Sequence, residues 1–283
     1  MVSVFANANA ILGEGPVWSV GKQTLYWVDI KGKDVYSKGI ADASFHKTTF
    51  DKRPSALGES KNGLVIAFED GLFHVLDGQR EPFCQLDEGP ENRTNDGKVA
   101  PDGSFWVGTM DDYERNKTGA LYRISSDCVI TKLLEGIGIS NTLAWDLERN
   151  LFYFADSMEQ VIWSFRYDKK QHSLTDKQQF VSLRGTRIYP DGSAIDAHGF
   201  LWNAQWDGSR VVRYSPSGDI DRIIDLPVSR PTSCCFGGPD MKTLFITSAS
   251  IGIHPDEQPL AGSVFSIKVD VPGVTPRLFG ASG

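Results

Sequence analysis

The stretch "TLYWVDIKGKDVYSKG" (residues 24–39) sets two short strand-like phrases, rich in aromatic and β-branched residues, around a glycine-containing turn. Its first phrase returns as "GLVIAF" from Gly63, "SFWVGT" from Ser104, "LFYFAD" from Leu151, "FLWNAQ" from Phe200 and "TLFITS" from Thr243, at intervals of 39, 41, 47, 49 and 43 residues. The second phrase follows each time, as "GLFHVLDG" (71–78), "GALYRIS" (119–125), "QVIWSFRYD" (160–168), "SRVVRYSPSG" (209–218) and "GSVFSIKVD" (262–270). A repeat of about 40–50 residues holding several strands is the signature of a β-propeller. One four-stranded sheet cannot bury its own face, whereas six arranged radially bury each other's. The expected fold is therefore all-β: a six-bladed β-propeller occupying residues 1–283 as a single domain. Ring closure is expected from an N-terminal strand near "SVFANAN" (3–9), added to the last blade.

Composition agrees and excludes some functions. Forty per cent of the residues are apolar, with seven Trp and sixteen Phe, enough for a large core. A formal charge of −7 argues against a nucleic-acid partner, which calls for a basic face. No apolar run approaches the roughly 18–20 residues that span a bilayer, so no membrane partner is expected. "MVSVFANANAIL" has no basic segment followed by an apolar one, so no secretory signal is read there. The cysteines (Cys84, Cys128, Cys234 and Cys235) lack a zinc-type spacing and read as reduced, mostly buried thiols of a cytoplasmic protein. Propeller edges are short and protected, so a monomer is expected.

In a propeller, the segments leading into each blade's axial strand face the central channel, so their polar residues converge from distant sequence. Unit one offers Glu14 in "GEGP", unit three Arg93, Asn95 and Asp96 in "NRTNDG", unit four Asn141 in "ISN", and unit five Asp191 in "PDG". "NDG" and "PDG" are common turn formers. A glutamate between two glycines is not, and the glycines would let the backbone bend until the carboxylate points down the axis. Two carboxylates and an amide are oxygen ligands for a hard divalent cation. None of the five histidines lies in these segments, which disfavours a histidine-rich zinc site. No G-x-S-x-G occurs, which disfavours a serine hydrolase.

The phrases "LGEGPVW" (12–18), "NRTNDGKVAPDGSFWVGTM" (92–110), "ISNTLAWD" (139–146), "YPDGSAIDAHGFLWNAQW" (189–206) and "TSCCFGG" (232–238) also carry a likeness. The chain resembles the senescence marker protein-30, gluconolactonase and luciferin-regenerating family, the regucalcin-like group that includes bacterial aldonolactonases. The resemblance implies one divalent metal on the axis (Ca²⁺, Zn²⁺, Mn²⁺, Mg²⁺ or Fe²⁺) and hydrolysis of a sugar lactone to its aldonic acid. It implies Glu14, Asn141 and Asp191 as metal ligands and Arg93 and Asn95 as substrate contacts; Asp191 is expected to be the catalytic base that takes the proton from the attacking water. The family's further acidic contact after "GTM" falls on Tyr113 here, with Asp111 and Asp112 just before it; Asp111 and Tyr113 are taken as substrate-binding candidates. The alternatives are a non-catalytic calcium-binding regulator and an esterase or organophosphate hydrolase of the same architecture.

Overall fold

The computed structural model describes residues 1–281. Its strands form six four-stranded antiparallel sheets, arranged as the blades of a propeller. From the axis outward, blade 1 runs Gly13–Ser19, Thr24–Asp29, Asp34–Gly39 and His46–Thr49. The axial strands of blades 2 to 6 are Pro54–Ser60, Asn92–Val99, Ser140–Asp146, Tyr189–Ile195 and Pro231–Gly237. The expected closure is present: Ser3–Ala6 forms the outer strand of blade 6, with Ser3 opposite Ser266 and Val4 opposite Phe265. Among the described residues, non-strand regular structure is limited to a short 3₁₀ turn, Ser157–Glu159. No described helix is long and apolar enough to cross a membrane.

The recurring phrases form the second and third strands of each blade. The axial strand is the one before them, which reads as loop because it is rich in Gly, Pro, Asp and Asn. Burial explains this composition. Ser140–Asp146 is buried along its whole length, whereas the outer strand His46–Thr49 is exposed along its whole length. A strand enclosed on both sides takes small and polar residues where it faces the channel, and apolar ones where it faces a neighbouring blade.

Six apolar clusters, one between each pair of adjacent blades, make up the core among the described residues. Between blades 3 and 4, Trp106 sits edge-on to Trp145 with centroids 5.2 Å apart and 5.0 Å from Phe152. No blade owns a core, so the repeats are stable only as a ring.

One sequence expectation is corrected. Cys84, on the outer strand of blade 2, and Cys128, in a turn of blade 3, form a disulfide across 44 residues of chain. Only the ring packing brings the two together, which their spacing does not reveal. With it goes the thiol argument for a reducing compartment. Cys234 and Cys235 are free and buried; burial pushes the Cys234 thiol up to about 12, which leaves it inert at neutral pH. A loop of this length predicts a loss of about 4 kcal/mol when the bridge is broken. Denaturant unfolding of Cys84→Ser/Cys128→Ser against the oxidised protein checks it; equal midpoints would contradict it.

The C-terminal segment crosses the end of the ring where the axial strands finish. Val274 N donates to Ile195 O in blade 5 at 3.2 Å, Phe279 N to Glu59 O in blade 2 at 2.8 Å, and Gly280 N to Gly103 O in blade 3 at 2.8 Å.

Candidate functional site

Every axial strand is broken by a register shift near its start: Glu14/Val17, Pro54/Ala56, Thr94/Gly97, Asn141/Ala144, Pro190/Ser193 and Pro231/Ser233. A β-bulge re-aims side chains that a regular strand would send alternately to its two faces. Of the residues singled out from sequence, Glu14, Arg93, Asn95, Asp96, Asn141 and Asp191 lie on or beside these bulges, inside strands rather than in loops. At the first, Gly15 takes φ +51°, and a Cβ there would come 3.3 Å from Ala56 Cα. Glycine is thus required on both conformational and spatial grounds, and Glu14 Oε2 accepts from its N–H at 2.9 Å. At the fourth, the β-branched Thr142 adopts φ 54°, an uncommon conformation held by its hydroxyl donating to the Asp191 carbonyl across the blade boundary.

The metal candidates are placed as follows. Glu14 and Asp191 are both buried, and they lie near enough for each to shift the other's proton affinity. Asn141 Nδ2 donates to Ser157 Oγ at 2.8 Å, and Ser157 Oγ donates to the Pro190 carbonyl at 2.5 Å. Asn141 Oδ1, thereby turned the other way, accepts from Asn95 Nδ2 at 3.3 Å. Asn95 Oδ1 in turn accepts from Arg93 Nη1 at 2.8 Å. Arg93, Asn95 and Asn141 therefore form one hydrogen-bonded chain.

That chain continues to the rim. Arg93 Nε donates to Asp112 Oδ1 at 2.8 Å, and Arg53 Nη1 reaches both oxygens of Asp112 at 2.9 Å. Arg53 Nε also donates to Glu69 at 2.8 Å, and Lys31 stands 3.7 Å from Asp112. The other two substrate candidates are not part of it. Asp111 is fully occupied within its own loop, accepting from the N–H groups of Tyr113, Arg115 and Asn116. Tyr113 points outward, 66% exposed, with the Arg115 guanidinium 4.5 Å from its ring centre. The acid facing Arg93 is Asp112, one position away in sequence. Alternation along a strand cannot choose between Asp111 and Asp112 where the strand ends and the loop begins. Ser157 gave no sequence signal beyond following "FAD".

The electrostatics are unusual. Burial, then the neighbouring Asp96 carboxylate, pushes Glu14 up to about 8. Burial, then Glu14 and Asp96, raises Asp191 as well. Asp96 is itself buried and raised by burial, although Lys98 opposes the shift. One of its oxygens has no hydrogen-bond partner. Arg93 is the cation that acts on Glu14, and it is already tied to Asp112. Buried carboxylates without compensating charge are costly, so this arrangement fits a bound cation. Glu14, Asp191 and the Asn141 amide carry the oxygen donors that a hard divalent ion takes. Among the described residues no three of His, Cys, Asp and Glu cluster as a metal-binding group, so the neutral amide is needed to complete a protein triad.

Fold and site together define a six-bladed propeller with an oxygen-rich, carboxylate-bearing centre on its axis. The chain belongs to the SMP-30/Gluconolactonase/LRE-like region family, whose profile matches residues 12–250. It is 34% identical to the 6-deoxy-6-sulfogluconolactonase of Pseudomonas putida over 278 residues, covering 95% of each chain. To regucalcin of Gallus gallus it is 34% identical over 282 residues, covering 95% of this chain and 94% of that one. The crystal structure of regucalcin, a calcium-binding protein from Agrobacterium tumefaciens, superposes with a TM-score of 0.93 at 27% identity, covering 98% of this chain and 96% of the other.

Proposed function

We propose that this chain is a lactonase that opens a sugar lactone to its aldonic acid, with a divalent metal ion held by Glu14, Asn141 and Asp191. The observation that carries the reading is the buried, electrostatically coupled Glu14–Asp191 pair beside an arginine–asparagine arm. A binding propeller needs only an exposed face and gains nothing from burying carboxylates together. The lactonase named among the relatives supports the substrate class, and the calcium-binding neighbour supports the cation. An all-oxygen donor set suits Ca²⁺, Mg²⁺ or Mn²⁺ better than a soft ion.

When bound, the ion supplies Lewis-acid polarisation of an ester carbonyl. The remaining work falls to side chains. Asp191 accepts the proton of the water whose oxygen adds to the carbonyl carbon, and returns it to the ring oxygen as the C–O bond breaks. Asn95 and Arg93 present N–H donors from a buried arm and orient the hydroxyls of the ring. Asp112 orders that arm by fixing the Arg93 guanidinium from the rim.

The test is a pH-stat assay with glucono-, xylono-, arabinono- and galactonolactone, before and after chelation. Turnover lost on chelation and restored by a divalent metal supports the proposal. Metal-independent turnover, or none with any of the four, removes it. Asp112→Asn keeps shape but removes the ion pair that holds Arg93 and one of the two that hold Arg53. It is expected to raise KM about tenfold, with kcat within about twofold, because the arm acts mainly in binding. An unchanged KM would show that the arm is held without Asp112.

A further inference from the structure

A cavity lies away from the carboxylates, at the opposite end of the channel. It has a volume of about 530 Å³ and is lined by Val17, Leu57, Val99, Leu143, Ile195 and Phe236, one residue from the axial strand of each blade. These positions are two to four residues further along their strands than Glu14, Asn95, Asn141 and Asp191. At roughly 3.3 Å per residue the cavity lies about 7–13 Å down the channel from the lactonase site. Its outer wall is the segment Val274–Arg277, which belongs to the strap fixed at blade 5 on one side and blades 2 and 3 on the other.

Charge gives the cavity a sign. Its lining contains two charged residues, Lys98 and Arg277, and no Asp or Glu, on a chain whose net charge is −7. Lys98 Nζ donates to a neutral acceptor, the Ser193 carbonyl, at 2.7 Å. Arg277 lies on the exposed strap and has no ion-pair partner among the described residues. Small-molecule sites are commonly about 300–1,000 Å³, mostly apolar, with a few polar groups that fix orientation. From these observations we infer that the far mouth of the propeller is a second binding site, for an amphiphilic monoanion such as a medium-chain carboxylate. The chain of the ligand fills the ring of apolar side chains, and its carboxylate meets Arg277 at the strap. The strap is the movable wall, because its middle residues are exposed and its hydrogen bonds lie at its two ends. This inference stands apart from the lactonase proposal, since it uses none of the axial carboxylates.

The probe is decanoate, titrated calorimetrically into the full-length protein, with decanol as the neutral analogue of the same chain. One saturable site per chain is expected, with decanoate binding at least tenfold tighter than decanol. Arg277→Gln, on the exposed strap where folding is not at stake, is expected to weaken decanoate about tenfold and leave decanol unchanged. Ala194→Phe, which fills the cavity from blade 5, is expected to abolish both, and its unfolding midpoint shows whether it is folded. Absence of saturable binding to the native protein overturns the site. Equal affinity for decanoate and decanol, or no effect of Arg277→Gln, overturns the assignment of an anion.

Discussion

Asp191→Asn is expected to lower kcat/KM for the preferred lactone by about three orders of magnitude, with the far-UV circular dichroism unchanged. The substitution is isosteric. The bulge at Pro190/Ser193 that aims residue 191 is made by the backbone, and Gly192 is required there because a Cβ would meet Ser233 Oγ at 2.0 Å. The Asp191 carbonyl also keeps its two partners, the Thr142 hydroxyl and Asn203 Nδ2, the latter at 2.9 Å. An amide in the same place can still offer an oxygen, but it cannot take a proton from water. General-base catalysis is worth about 10²–10⁴ in rate, and a thousandfold loss corresponds to about 4 kcal/mol of barrier. The check is initial rate by pH-stat at several lactone concentrations. Activity within tenfold of the native protein would take Asp191 out of the proton transfer and leave it at most a ligand.

How much of this was legible beforehand depended on which physical constraint each residue obeys. The repeat was legible because the second and third strands of each blade are sandwiched between neighbours. "LFYFAD" and "TLFITS" carry the aromatic and β-branched residues that such packing selects. The axial strands were not read as strands, because the channel asks them for glycine, proline and polar side chains. Yet that same demand exposed the site. Glu14 between two glycines is a poor turn and a poor strand, so its conflict with local preference marked a constrained carboxylate. The rim was harder. Asp111 and Asp112 differ by one position, and only the loop that Asp111 caps decides that Asp112 turns toward Arg93. Arg53 reaches that acid from blade 2, 59 residues away, and no local pattern announces such a contact. The disulfide was illegible for the same reason: its partners are neighbours only after the ring has closed.

The sharpest separation between a metal centre and a merely buried acidic cluster comes from Glu14→Gln. In the metal-free protein Glu14, Asp191 and Asp96 are all raised by burial, Glu14 also by Asp96 and Asp191 also by both, so their ionised forms work against folding. Glutamine keeps the length and the oxygen that accepts from Gly15 N–H while removing the acid. After exhaustive chelation, the variant is therefore expected to be at least as stable as the native protein. Adding a divalent ion should reverse the order. A ligand that binds only the folded state stabilises it by RT ln(1 + [L]/Kd), about 4 kcal/mol at a thousandfold excess over Kd, and a neutral amide at position 14 forfeits most of that. Thermal unfolding with and without Ca²⁺, Mg²⁺ and Mn²⁺, together with calorimetric titration of each ion, reads both effects without reference to catalysis. If the native midpoint does not rise with any ion, or if Glu14→Gln responds as the native protein does, the carboxyl pair holds no metal.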